Sequence, residues 1–358
     1  MKKTKESKIT SIVRLSNNCN LACKYCYVID KSNNLIQNEA LEKIIHESAT
    51  ITDNVNYLWH GGEPLLAGLD TFKQICEIQD KLGEDIKITN KIQTNGILLD
   101  KKFLSFFKRK NFKIGLSLDG PEKLHDAMRV FPDGSGTHKK VMRSINLMKK
   151  MHMDFGCILI LNKTNYESIT QIYDFYNKEK IRFKLNPVIL EINSPYGITA
   201  AEYGTALIRL YDHMKGVENG INCKTIDYLR NGVTKGCTEE CTYQKDCHKH
   251  FVGFDTNGDV YPCNRFVGHK RMAMGNIHKK HLTTIFKSDK YMKLERKPKK
   301  LGCNLCYWKN ICNGGCGYES YTTYGTLHSK TSFCESYKMI FEHIASREGA
   351  VMTEQMPF

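Results

Sequence analysis

Along the first half of the chain, short apolar runs alternate with longer stretches whose apolar residues recur every three or four positions. Runs of about four to eight apolar residues suit strands, while the longer periodic stretches suit amphipathic helices. The pattern predicts strands at Ile9–Leu15, Val55–Trp59, Ile86–Gln93, Phe112–Leu118, Phe155–Leu161 and Phe183–Pro187. Helices are predicted at Glu39–Ala49, Leu69–Leu82, Lys101–Lys110, Lys139–Met151 and Tyr166–Lys178. Such alternation builds βα units with parallel strands. The expected fold is α/β, a partial (β/α)6 TIM-like barrel, whose chemistry belongs at the strand C-terminal ends.

After Pro187 the pattern changes. A helical stretch at Thr199–Gly216 leads to a segment, Gly236 to Cys334, that holds nine of the fifteen cysteines. Short strands are expected there at Val252–Phe254 and Val260–Tyr261, with a closing helix at Glu335–Ala345. So little apolar periodicity predicts a small domain held by metal. The expected division is a barrel at 1–195, a helical linker at 196–235, a cysteine-rich domain at 236–345 and a tail at 346–358.

No run approaches the ~18 apolar residues of a membrane helix. The basic start, Met1 to Lys8, has no apolar stretch after it and is not a secretory signal. A cytoplasmic location follows as the expectation, and disulfides are rare in that compartment. Fifteen cysteines therefore point to metal ligation. The net charge of +15 is concentrated at the start and between Lys287 and Lys300. Such a field favours an acidic partner, a leader peptide or a flavodoxin- or ferredoxin-type reductant. Nucleic acid ranks lower, because aromatics are not interleaved with the basic run.

Cys19, Cys23 and Cys26 are spaced three and two residues apart on one short loop, with Tyr25 just before the last. Three thiolates can hold three irons of a 4Fe–4S cube and leave the fourth open. Structural zinc would want a fourth ligand close by, and His46 is the only His or Cys in the next thirty residues. Strand two ends in His60-Gly61-Gly62-Glu63-Pro64, strand three in Gln93-Thr94-Asn95-Gly96 and strand four in Ser117-Leu118-Asp119-Gly120-Pro121. The last continues into His125-Asp126, Arg129 and Gly134-Ser135-Gly136. Downstream stand Cys241, Cys247 and Cys263, with Gly258 in the turn before the last, then Cys303, Cys306, Cys312, Cys316 and Cys334.

These motifs together resemble the radical SAM superfamily with a C-terminal SPASM domain. The resemblance runs from about Ile9 to Tyr337 and implies three 4Fe–4S clusters and S-adenosylmethionine (SAM). Cys19, Cys23 and Cys26 would hold the SAM-binding cube. Tyr25, Gly61, Gly62, Glu63, Pro64, Asn95, Ser117, Asp119 and Arg129 would contact SAM, Arg129 by a fork onto its carboxylate. A surface salt bridge is the other reading of Arg129. By the family's interleaved arrangement, Cys241, Cys247, Cys263 and Cys316 would hold one auxiliary cluster, and Cys303, Cys306, Cys312 and Cys334 the other. A zinc ribbon competes for Cys303/Cys306 and Cys312/Cys316 in isolation. Cys237 could take the place of Cys241, Cys76 and Cys157 read as core residues, and Cys223 has no evident role.

The family's chemistry implies that the reduced cluster cleaves SAM to a 5′-deoxyadenosyl radical, which takes hydrogen from a substrate carbon. The phrase Tyr261-Pro262-Cys263-Asn264-Arg265-Phe266-Val267-Gly268 resembles maturases of ribosomally made, cysteine-rich peptides. Anaerobic sulfatase-maturating enzymes are close relatives with an aspartate as base just after that cysteine. Asn264 stands there in this chain, and an amide cannot accept that proton. The expected activity is therefore oxidative thioether crosslinking of a precursor peptide, with formylglycine formation, carbon–carbon crosslinking and epimerisation as alternatives. No catalytic residue is assigned. Only about eight residues precede the first strand, so capture of a leader is expected to fall to a separate protein or to the barrel itself.

Overall fold

The computed structural model describes residues 8–29, 31–189, 194–295 and 302–349. Residues 1–7, the end of the tail, and Arg296, Lys297, Lys299 and Lys300 of the basic run lie outside these. Nine strands follow in chain order: β1 Ile9–Ser16, β2 Asn54–Gly61, β3 Lys87–Thr94, β4 Lys113–Ser117, β5 Phe155–Leu161, β6 Phe183–Pro187, β7 Phe251–Phe254, β8 Asp259–Tyr261 and β9 Gly275–Asn276. The first six match the predicted strands to within a residue or two. Two compact units divide the chain.

The first unit comprises Met1–Leu118, His125–Gly156 and Asp246–Arg296. Its strands lie in the order β4-β3-β2-β1-β7-β8-β9. β1 to β4 run parallel, and β7 joins the free edge of β1 in parallel, Thr10 facing Phe251 and Val13 facing Phe254. β8 and β9 complete an antiparallel ribbon beyond it. Helices cover the parallel part, and buried side chains on β2 explain its register. Tyr57 and Trp59 stack at 5.4 Å, the Tyr57 hydroxyl donates to Ile45 O in the helix Asn38–Ile51, and Trp59 Nε1 donates to Asn90 on β3. Phe72, Phe107 and Phe112 pack edge-on and tilted into one apolar cluster beneath the helices Gly68–Asp80 and Lys101–Arg109. Asp100 starts the latter helix by accepting the Phe103 N–H, which satisfies one of its orphan donors.

The second unit comprises Asp119–Leu124, Cys157–Lys245 and Lys297–Phe358. β5 and β6 pair in parallel, Cys157 facing Phe183. The predicted Tyr166–Lys178 helix opens with a tight turn at Tyr166–Ser168 and becomes α-helical at Ile169–Lys178. Thr199 and Glu202 form a capping box at the start of the helix Ala200–Lys215. Gly204 on that helix lets Cys334–Glu348 approach closely, since a Cβ there would lie 2.7 Å from Met339 Sδ and 3.0 Å from Ser336 Cα. Glu348 takes a two-point fork from Arg230 of the helix Lys224–Lys235, at 2.9 and 3.1 Å. Arg230, Lys215 and Tyr211 hold its carboxyl at about 2. Among the described residues, no helix is long and apolar enough to cross a membrane.

Candidate active site

The loop after β1 is built to hold three thiols. Ala22 N donates to Val130 O at 2.8 Å and Lys24 N to Met128 O at 2.9 Å, pinning the loop to the segment that carries Arg129. The guanidinium of Arg129 lies 5.3 Å from the centre of the Tyr25 ring. Both residues are 7% exposed, so Arg129 stands buried against the cysteine loop. Cys19 Sγ is approached by Leu21 N at 3.4 Å and by Asn95 Nδ2 at 3.8 Å, donors that suit a thiolate. Burial pushes the Cys19 thiol up to about 12, and Glu63, Cys23 and Cys26 add to it. Thiolates gathered this way need a metal's charge. The donor set fits three irons.

Gly61 and Gly62 serve this loop directly. Gly62 N donates to Ser16 O at 2.8 Å and Glu63 N to Asn18 O at 2.9 Å. A Cβ on Gly61, where φ is +138°, would sit 2.2 Å from Ser16 O, and one on Gly62 would sit 2.3 Å from Asn18 O. Only glycine allows that approach. Glu63 is fully buried and accepts Leu65 N at 3.0 Å, Thr94 Oγ1 at 2.6 Å and Asn95 N at 2.8 Å. Burial raises its carboxyl to about 7 against those three bonds. Its side chain thus ties the end of β2 to the end of β3, with Pro64 buried beside it. Asn95 in turn donates to Asn20 Oδ1 at 2.8 Å inside the cysteine loop. Ser117 accepts from Gln93 Nε2 at 3.2 Å.

The segment after β4 proves to be a latch. His125 Nε2 lies 2.9 Å from Thr137 Oγ1, whose own proton goes to Arg129 O at 2.8 Å. The imidazole is therefore the donor at Nε2, and burial, Arg129 and His138 hold it well below its ordinary range. Asp126 accepts the Thr137 and His138 N–H groups at 2.7 and 2.8 Å. In the second unit, Asp119 is fully buried and accepts Ile160 N of β5 at 3.0 Å.

One group of residues escaped the motif reading. Arg14 on β1 is 1% exposed, and its Nε donates to Asn264 Oδ1 at 3.3 Å. Asn264 Nδ2 donates to the hydroxyl of Tyr27 at 3.0 Å, one residue after Cys26. The signal was available: a lone arginine inside the apolar strand Ile9–Ser16.

In the second unit, Cys303, Cys306, Cys312 and Cys334 line one cavity with Trp308, Thr331 and Tyr337. Burial pushes Cys312 up to about 12, with Cys334, Cys303 and Cys306 adding their charge. Tetrahedral zinc would draw its sulfurs to within roughly 3.8 Å of each other, given Zn–S bonds near 2.3 Å. Among the described residues, no three His, Cys, Asp or Glu side chains make such a single-ion set. Four thiols are the ligand number that a fully ligated cube requires. Cys247 and Cys263 lie in the first unit, Cys241 and Cys316 in the second. Cys237 is exposed, whereas Cys76, Cys157 and Cys223 are buried.

The radical SAM superfamily model matches residues 13–176, and the iron–sulfur cluster-binding SPASM model matches residues 246–307. The chain is a radical SAM enzyme with a SPASM domain. It is 28% identical over 352 residues to a cysteine-type anaerobic sulfatase-maturating enzyme of Clostridium novyi, covering 93% of this chain and 94% of that one. A serine-type enzyme of Bacteroides thetaiotaomicron is also 28% identical, over 91% of this chain and 87% of its own. Native anSMEcpe with bound AdoMet and Cp18Cys peptide superimposes on the radical SAM–SPASM chain with a TM-score of 0.86 and 25% identity, over 96% and 99% of the two chains. Streptococcus suis SuiB bound to precursor peptide SuiA shares the fold, with a TM-score of 0.67 over 92% and 76% at 20% identity. The radical SAM–SPASM chain thus uses 4Fe–4S clusters and SAM.

Proposed function

We propose that this enzyme oxidises a cysteine in a peptide or protein at its β-carbon, the formylglycine-forming chemistry of its sulfatase-maturating relatives. The observation that carries this reading is the likeness to those enzymes along 93% of the chain. It displaces the thioether expectation, since the SuiB likeness is weaker and one of fold alone. When bound, the cluster and SAM supply a 5′-deoxyadenosyl radical that removes one hydrogen atom.

The chain's own residues do the rest. Cys19, Cys23 and Cys26 would hold the cube, with the Gly61–Pro64 turn and Asn95 fixing their loop. Arg129 and Tyr25 would flank SAM, together with Ser117 and Asp119. Cys241, Cys247, Cys263 and Cys316 would carry the first auxiliary cluster and Cys303, Cys306, Cys312 and Cys334 the second, as electron acceptors. A flavodoxin- or ferredoxin-type protein in the cytoplasm would supply the starting electron.

Mass spectrometry of a single-cysteine sulfatase peptide tests the reading. Conversion of cysteine to formylglycine removes ~18 Da and gives an aldehyde that a hydrazide captures, whereas a thioether crosslink removes ~2 Da and blocks alkylation of the sulfur. A ~2 Da loss without an aldehyde would return the assignment to crosslinking.

A further inference from the structure

The four-cysteine cavity of the second unit is also lined by Lys309, Lys330 and Lys338. Lys330 and Lys338 are exposed, so the cavity opens to solvent among ammonium groups. Other lysines of this unit are neutralised, Lys163 by Glu202, Lys184 by Glu240 and Lys215 by Glu348. Among the described residues, the three cavity lysines are in no such pair. Glu335, the residue after Cys334, is exposed but does not line the cavity. The cysteine loop adds apolar surface. Leu305, between Cys303 and Cys306, is 102% exposed, and Tyr307 is 46% exposed. Tyr307 stands edge-on, at 4.7 Å, to Trp308, which lines the cavity. A single exposed leucine is ordinary surface. A leucine and a tyrosine together on one loop, beside three cations, have the make-up of a protein interface.

We propose that this face docks an acidic one-electron carrier of the flavodoxin or ferredoxin class in its oxidised form. Lys309, Lys330 and Lys338 steer its acidic surface, and Leu305 and Tyr307 seat it beside the four thiols. Charge complementarity speeds encounter more than it tightens a complex. Redox encounters manage with interfaces below about 1,200 Å², so a small patch suffices.

The electron count fits such a partner. Oxidising a cysteine CH₂–SH to a thioaldehyde removes one hydrogen atom, one proton and one electron. The hydrogen atom goes to the deoxyadenosyl radical, the proton to solvent and the electron to the carrier, which leaves reduced by one. A thioether crosslink gives up the same three. The inference therefore rests on the reading of Cys303, Cys306, Cys312 and Cys334 as ligands of an electron-accepting cluster, and not on the bond formed.

Stopped-flow mixing tests it on the full chain with Cys19, Cys23 and Cys26 changed to Ala, so that only auxiliary clusters carry electrons. The reconstituted protein is reduced, freed of reductant and mixed with an oxidised acidic flavodoxin, whose semiquinone absorbance is followed. Transfer should slow about tenfold as ionic strength rises from about 0.01 to about 0.15 M, where the Debye length falls from about 30 to about 8 Å. Lys309→Glu/Lys330→Glu/Lys338→Glu should cost about tenfold at low salt and flatten that dependence, with about eight irons still bound. Leu305→Ser should slow transfer at every salt concentration. Transfer that does not slow with salt before any lysine is changed overturns the inference, whether or not the lysine variant folds. An unchanged rate in the lysine variant with its iron intact overturns it too, and a loss of peptide binding there instead would give the face to an acidic leader. Iron near four per chain rather than eight, before any lysine is changed, would remove the second auxiliary cluster and the docking face with it.

Discussion

Glu63 looks like a ligand contact in the sequence and acts as a clamp in the structure, because all three of its partners are donors from the chain itself. Glu63→Gln puts an amide N–H₂ against at least one of those donors. Leaving a buried donor unpaired costs about 1–3 kcal/mol, so urea unfolding of the variant should show a loss of that order. The clamp also has a pH signature. Its carboxyl is raised to about 7 from 4.5, so between those values the folded state binds the extra proton. Stability contributed by this group should fall as pH rises from about 4.5 to 7 and level off above, a slope that Glu63→Gln removes. Position 264 follows from its neighbour in the same way. An aspartate there would pair with Arg14 and stay a weakly basic carboxylate. Asn264→Asp should therefore leave aldehyde formation unchanged or slower, as hydrazide capture would show.

At the scale of elements, two glycines set the spacing between backbone segments. Gly61→Ala drives a Cβ into Ser16 O from a backbone angle that alanine resists. Iron content should fall from about twelve to about eight per chain, and reductive SAM cleavage should stop. Gly253 on β7 faces Cys263, and a Cβ there would lie 2.7 Å from the Cys263 carbonyl carbon. Gly253→Ala should also cost about four irons, yet leave SAM cleavage in place, which separates the two losses. The first six strands were legible because each is a bounded apolar run with a helix-period stretch beside it. The attachment of β7 to β1 was not. Val252–Phe254 reads only as a short strand, and nothing local states which edge a four-residue strand will join. The helix Lys224–Lys235 was also missed as an element, its apolar residues too sparse to stand out from the linker.

For the whole molecule, anaerobic reconstitution should give about twelve irons, and changing Cys19, Cys23 and Cys26 together to Ala should leave about eight while abolishing SAM cleavage. The cysteines were legible because ligand spacing survives in sequence; Arg14 was not, since its meaning lies in a partner 250 positions away. The same long reach has a cost during synthesis. β1 leaves the ribosome well ahead of β7, and the edge it offers stays unpaired until Phe251 emerges. At about 5–20 residues per second that wait lasts roughly 12–50 s, with exposed N–H and C=O groups open to other chains. The nascent protein should therefore depend on a chaperone, or on an unstructured β1, until the SPASM segment arrives to close the edge.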